Sequence, residues 1–420
     1  MLKKLPALGF TLLLTFSLSA QTITPLYLNF NSHSEENDFG FGKNYNNNVD
    51  TFNKYRNLLV TMCDTFRAKG AKYNSQHDWA FLEGAKLYDN GSHANTNNKN
   101  IFQWMRDDNN GLIELDAHAH MTQKNYTDVV WYYQQLGITP SKVVGGFLYD
   151  TVMNAAMPGS NWTQMQDSLP GKTRPFMKFQ FDILWGGGTG NHQGVDLSPV
   201  GIWQPDTMKN ILTHNGSRHL VLLGNGCNTL LTDTTANIVS TLLNEIRTLV
   251  YEINNGQLAA GKFYSSCIMF NIRDLRPGLA VKAAQLIDSL QPLVDAGYIV
   301  WKNHTEKVDI WKAQYTSAPN IVICADMPAW NGQTGISTDI PDSDTQISEF
   351  SIYPNPATDV VYVRSQSLLI DEMLRVYDVS DRLVLETKLL SPLQQVSLEA
   401  LDKGVYFIKI NTRLQKILVQ

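Results

Sequence analysis

His118 and His120 stand two residues apart in the run Gly111–His120, where apolar and polar residues alternate. In an extended strand, alternate side chains share a face. Ile113, Leu115, Ala117 and Ala119 therefore take one face, and Glu114, Asp116, His118 and His120 the other. Two imidazoles so placed can reach one metal ion. The run beginning Leu26–His33 repeats the pattern: Leu26, Leu28 and Phe30 oppose Asn29, Asn31, His33 and Glu35. His33 is the candidate third ligand. A divalent ion such as zinc on His33, His118 and His120 would bring the pKa of a bound water to about 7 and polarise a carbonyl. Glu35, Glu36 or Asp78 would then act as general base, with Asp116 as base or fourth ligand. A His-x-His pair alone is a weak indication, since a hydrogen-bonded core pair has the same spacing. Three His-bearing strand ends expected at one rim strengthen the metal reading.

Two readings need no metal. Two carboxylates drawn from Glu35, Glu36, Asp78, Asp116, Asp150 and Asp182 would cleave glycosidic bonds if they stood about 5–5.5 Å apart (retaining) or about 6.5–9.5 Å apart (inverting). A non-catalytic surface protein that keeps a sugar pocket is the other.

The elements that must position these residues recur along the chain. Strand-like runs occur at Leu26–His33, Lys72–Asp78, Leu112–His120, Lys142–Asp150, Phe176–Trp185, His219–Gly224, Lys262–Phe270, Tyr298–Lys302 and Ile321–Cys324. Helix-like segments at Asp50–Arg67, Tyr126–Leu136, Asp233–Asn254 and Pro277–Ala296 fall between them. Such alternation predicts an α/β fold, a (β/α) barrel of seven or eight strands over residues 21–330. A parallel strand buried on both faces reads as continuously apolar. These strands do not, so their polar faces are expected to line a lumen and to need partners, metal or ligand there. His33, His77 with Asp78, and His118 with His120 fall at the C-terminal strand ends, where barrel active sites lie. His192 closes the Gly-rich loop Trp185-Gly-Gly-Gly-Thr-Gly-Asn-His192, a candidate substrate loop. The loop matches neither the dinucleotide fingerprint nor the P-loop. His93, His214, His219 and His304 read as loop or surface.

The composition bounds the partners. The formal net charge is −5 and 43% of residues are hydrophobic, which describes a globular, mildly acidic protein and argues against nucleic acid as the main partner. The 9 Trp and 17 Tyr suit a core as well as sugar sites. Cys63, Cys227, Cys267 and Cys324 match no zinc framework and read as small buried hydrophobes, with one disulfide permitted on an oxidising route.

Both chain ends carry addresses. Residues 1–20 combine basic Lys3 and Lys4, the largely apolar run Leu5–Leu18 and a small-residue end at Ser19-Ala20, the pattern of a cleaved secretion signal. The run is short for a bilayer span, so no transmembrane segment is expected in the mature chain. Residues 331–348 are polar and rich in Gly, Pro and Asp, a linker. Residues 349–420 then hold only short alternating strands, which predicts a small all-β, Ig-like sandwich. That segment opens with Tyr353-Pro-Asn-Pro-Ala-Thr-Asp359, continues through Val376-Tyr377-Asp378 and Leu401-Asp-Lys-Gly-Val-Tyr-Phe407, and places Lys416 before a last apolar strand. In order and spacing it resembles the C-terminal sorting domain of the type IX (Por) secretion system. Where that family has Gly after the Tyr-Asp pair, this chain has Ser380-Asp381. The resemblance implies the type IX machinery as partner and a secreted or cell-surface location.

Residues 26–330 resemble, more faintly, the polysaccharide deacetylase-like (β/α) barrel superfamily. The matching parts are Asn31-Ser-His33-Ser-Glu-Glu36 and Asp116-Ala-His118-Ala-His120. The loop Gly201-Ile-Trp203-Gln-Pro205 is similar to substrate-contacting loops of that group. With Trp185 and His192, Trp203 is therefore a candidate substrate contact. The resemblance implies a metal-dependent hydrolase of poly- or oligosaccharide acyl groups. The usual Asp-Asp pair is replaced here by His-Ser-Glu-Glu, and the His spacing is two rather than four, so the metal set departs from the family pattern.

Overall fold

A computed structural model describes residues 23–34, 43–119, 123–146, 167–186, 200–206, 212–234, 237–323, 350–353, 356–365, 373–378, 382–389, 393–410 and 413–420. The chain divides into two compact units, Met1–Thr338 and Asp339–Gln420.

The first unit is built on one sheet. Its strands are β1 (Leu26–His33), β2 (Tyr73–His77), β3 (Ile113–Ala119), β4 (Val143–Gly146), β7 (Ile183–Trp185), β8 (Ile202–Trp203), β9 (Val221–Leu223), β10 (Tyr264–Asn271) and β11 (Ile299–Trp301). The order is β10-β1-β2-β3-β4-β7-β9-β8, with β11 also paired to β1. Every pairing is parallel except that of β8 with β9. The expected closed barrel is corrected here. Among the described residues no ladder joins β8 to β10, and the sheet is a curled, open half-barrel. Asn320 reaches across that gap, bridging to Ile202 and donating its Nδ2 to the Phe263 carbonyl at 2.8 Å.

The convex face is covered by α1 (Val49–Lys69), α2 (Trp79–Tyr88), α3 (Ile101–Asp107), α4 (Tyr126–Gln135), α5 (Ile238–Asn254) and α6 (Leu279–Asp295), whose apolar stripes share one core with Leu28, Phe30, Tyr73, Leu115 and Leu222. The concave face has its own apolar cluster. Tyr27, Val143, Ile183, Val221 and Cys267 meet Val308 and Trp311 of a seventh helix, α7 (His304–Gln314). Strand pairing explains how α7 gets inside. β10 occupies one edge of β1 along its whole length, so β11 and β2 must share the other. β11 takes Leu26–Leu28 and β2 takes Phe30–His33. The chain leaves β11 at this split and enters the concavity.

One expected strand dissolves. Of Phe176–Trp185 only Ile183–Trp185 joins the sheet, because only these residues have β4 and β9 as neighbours. Lys178–Phe179 (β6) pair instead with Leu169–Pro170 (β5) in a separate ribbon. The second unit contains two antiparallel sheets. One is β12 (Phe350–Tyr353), β13 (Val360–Ser365) and β16 (Leu393–Ser397). The other is β14 (Met373–Asp378), β15 (Leu383–Lys388), β17 (Gly404–Ile410) and β18 (Arg413–Val419). Both contribute to one small core, in which Val361 and Val363 meet Leu374, Val376, Ile408 and Ile417. Cys63 and Cys267 are buried free thiols, and Cys227 is disulfide-bonded.

His77 corrects a second expectation. Period-2 alternation sends it with Tyr73 and Ser75 to the convex side, away from the rim polar set. Its ring stacks on Phe81 at 4.9 Å and meets Phe102 edge-on at 4.8 Å, and Ser75 Oγ lies 2.7 Å from its Nε2. Burial pushes its pKa down to about 3. The unfolded imidazole titrates near 6.5, so between those values the unfolded chain binds the extra proton and stability falls as pH falls. Replacing His77 by Phe should flatten that acid limb, by up to about 1.4 kcal/mol per pH unit, in denaturant melts from pH 6.5 to 4. An unchanged acid limb would refute the assignment.

Candidate active site

The polar concave face is occupied from within the chain. Lys307 Nζ of α7 donates to Asn29 Oδ1 at 2.6 Å and to the Ser266 carbonyl at 2.9 Å. Asn29 Nδ2 donates to Asn74 Oδ1 at 2.9 Å. Asn74 Nδ2 in turn serves Glu114 Oε1 at 2.7 Å and Asp116 Oδ2 at 2.9 Å. Ser141 Oγ bonds the other Asp116 oxygen at 2.6 Å. The first turn of α7 points its backbone at the same network, the His304 N–H at Asn74 Oδ1 and the Thr305 N–H at Glu114 Oε1, both 3.3 Å. His304 Nε2 lies 3.0 Å from Asn31 Oδ1, and its ring stacks on Trp185 at 5.6 Å. Burial pushes the Lys307 ammonium down to about 7. Burial, then the neighbouring Glu114 charge, raises the Asp116 carboxyl well above its ordinary range.

Above this floor, at the C-terminal ends of β1 and β3, His33 and His118 come together. They are 8% and 3% exposed, and their rings stack at 4.8 Å with 20° between planes. Gln76 of β2 reaches toward β4, its Oε1 3.4 Å from His118 Nδ1. Gly145 of β4 leaves room for that amide, since a Cβ there would stand 2.0 Å from Gln76 Oε1. The approach brings two imidazoles, each a potential metal ligand, to one rim. Among the described residues no group of three His, Cys, Asp or Glu completes such a set. His120, Glu35 and Glu36 lie outside the described residues, as does His192.

The remaining candidates disperse. Asp78 caps α2: its Oδ1 accepts from the Phe81 N–H at 3.0 Å and from Ser34 Oγ at 2.8 Å. Asp116 sits on the concave face two residues below His118, between Asn74 and Ser141. Asp182 precedes β7 at the opposite end of the sheet, 2.7 Å from His219 Nε2 and 3.2 Å from Lys142 Nζ. Asp150 lies outside the described residues. Trp203 is 1% exposed and packs in the convex core, while Trp185 faces the concavity over His304.

His304 and Lys307 were not among the sequence candidates. The pattern Asn303-His-Thr-Glu306 carries the trace of α7, since Glu306 Oε2 accepts the Asn303 N–H at 2.8 Å in the manner of a capping box. Lys307 supplies a pH test. Unfolded lysine titrates near 10.4, and the folded value is about 7. Between them the unfolded chain binds the extra proton, so stability rises with pH across that window. Lys307→Met should remove this rise, read by urea midpoints at pH 7, 8.5 and 10. A parallel rise in the variant would place the titration elsewhere.

Comparisons with known proteins bear on the two units separately. Residues 351–420 match the family of the secretion system C-terminal sorting domain. Beta-agarase A of Zobellia galactanivorans is 33% identical over 75 residues, 18% of this chain, which spans 14% of that protein's length. Two solved structures are similar to much of the chain. A probable polysaccharide deacetylase from Pseudomonas aeruginosa shares 11% identity and a TM-score of 0.42 over 69% of this chain and 92% of its own. A 4-alpha-glucanotransferase from Thermococcus litoralis shares 9% identity and a TM-score of 0.38 over 71% and 40%. No helix among the described residues is long and apolar enough to cross a membrane. Residues 351–420 are thus a type IX secretion C-terminal sorting domain, and the chain that carries it is addressed to the cell surface or the exterior.

Proposed function

We propose that the exported α/β unit is a metal-dependent hydrolase of acylated carbohydrate, with its reacting centre at the rim of β1 and β3. The observation that carries this reading is the approach of His33 and His118 to 4.8 Å at that rim. The substrate class follows the sequence resemblance of residues 26–330 and the external address.

His33 and His118 would hold the ion, with His120 as the third imidazole. When bound, such an ion supplies an acidified water and polarises an acyl carbonyl. The chain's own residues do the rest. Gln76 steadies the His118 ring through Nδ1. Asp116, engaged by Ser141 and Asn74, holds β3 in place rather than touching substrate. Buried Trp185 and His304 close the floor against water from below. Glu35 and Glu36, which follow His33 in sequence, are the candidates for moving the proton. The carboxylate-only alternative has less support, since Asp78 is a helix cap and Asp182 lies at the far end of the sheet.

Elemental analysis of the purified chain should find about one divalent ion per molecule, and His118→Ala should lose it. Acetate release from acetylated xylan or chitin oligomers should fall by at least about 100-fold in that variant. A metal-free chain with the same activity before and after the substitution would overturn the reading.

A further inference from the structure

We propose that the hairpin between β5 and β6, with the adjoining faces of α2 and α4, binds an anionic polysaccharide. The segment Gly171-Lys-Thr-Arg-Pro-Phe-Met-Lys178 holds three cations and no anion, in a chain of net charge −5. It is not a loose loop. The buried Asp128 carboxylate of α4 organises it, accepting the N–H groups of Lys172 at 3.0 Å, Thr173 at 3.0 Å and Arg174 at 3.1 Å, and Thr173 Oγ1 at 3.0 Å. Gly171 permits this closeness, since a Cβ there would lie 2.8 Å from Asp128 Oδ1. Thr127 Oγ1 and Asn125 Nδ2 tie β5 to the start of α4 through the Leu169 and Pro170 carbonyls, both at 2.7 Å.

The hairpin continues a row of cations laid on aromatic rings. Arg174 stands 3.6 Å over the Trp131 ring and 5.3 Å from that of Tyr132. Lys86 of α2 approaches Trp131 at 5.1 Å, and Lys124 approaches Trp79 at 4.4 Å and Tyr132 at 5.9 Å. Two carboxylates lie close by: Asp128 is buried and engaged by the hairpin's N–H groups, and Glu83 accepts from Asn46 at 2.7 Å and the Tyr132 hydroxyl at 3.4 Å. Phe176, 81% exposed at the hairpin, presents an uncovered ring beside the charges. Cations held at fixed positions on α2, just before α4 and on the hairpin suit a repeating negative charge, and an exposed ring suits the apolar face of a sugar. A single apolar side chain is too little for stable membrane binding. Carbohydrate as the ligand class rests on the functional reading above; the cationic row itself does not depend on the metal.

Affinity electrophoresis of the full chain in gels containing dextran sulfate or neutral dextran tests this, because the two polymers differ only in charge. Dextran sulfate should retard the chain at low salt, neutral dextran should not, and high salt should abolish the effect. Lys178→Gln and Arg174→Gln should together weaken retardation by about 10-fold, while Lys262→Gln on another surface should not. Lys178 is exposed, so its single variant keeps the fold and still reports. Retardation unchanged in both variants, absent at low salt, or equal in neutral dextran would overturn the proposal, as would binding to anionic lipid vesicles without binding to the polymer. His118→Ala should bind dextran sulfate normally, so failure of the metal reading and failure of this one are told apart.

Discussion

The α/β unit depends on how the polar concave face of its sheet is satisfied. Asn29, Asn74, Glu114 and Asp116 project from strands that elsewhere would be apolar on both sides. Left bare in a dry interior, such groups would cost several kcal/mol together. Helix α7 resolves this with one buried ammonium, two backbone N–H groups and an imidazole. The arrangement follows from the shared edge of β1, because β11 and β2 divide it and leave a passage inward. The sheet curls around α7 instead of closing on itself, and Asn320 spans what is left of the gap.

Much of this was legible from alternation alone. Period two assigned the faces of β1 and β3 correctly, and it brought His33 and His118 to one rim. The same rule should have removed His77 from the polar set. Adjacent Asp78, which caps a helix, gives the pair the look of a strand-end cluster in the sequence. The interior helix was less visible. Its partners are remote in sequence, and a polar strand face announces only that something must satisfy it, whether metal, ligand or chain. The ambiguity was settled here by His304 and Lys307, whose residue types alone suggest a surface. Trp203 shows the same limit: an aromatic beside Gly and Pro reads as an exposed loop, yet it belongs to a short strand packed under the helices.

The two units divide the work. The sorting domain has a core of its own and carries the address. The larger unit holds a nearly dry imidazole pair over a floor that the chain itself fills. A ligand of that pair would approach from the rim, since α7 occupies the interior.

The state of the thiols has a consequence for export. Burial raises the Cys63 thiol well above its ordinary pKa and pushes the Cys267 thiol up to about 12. Disulfide exchange requires a thiolate. Among the described residues, the two free thiols are thus enclosed and poor in thiolate, and neither is a ready nucleophile for exchange with the disulfide at Cys227. The fold acts as a redox guard for these two thiols: an oxidising exterior reaches Cys63 or Cys267 only by first opening the core.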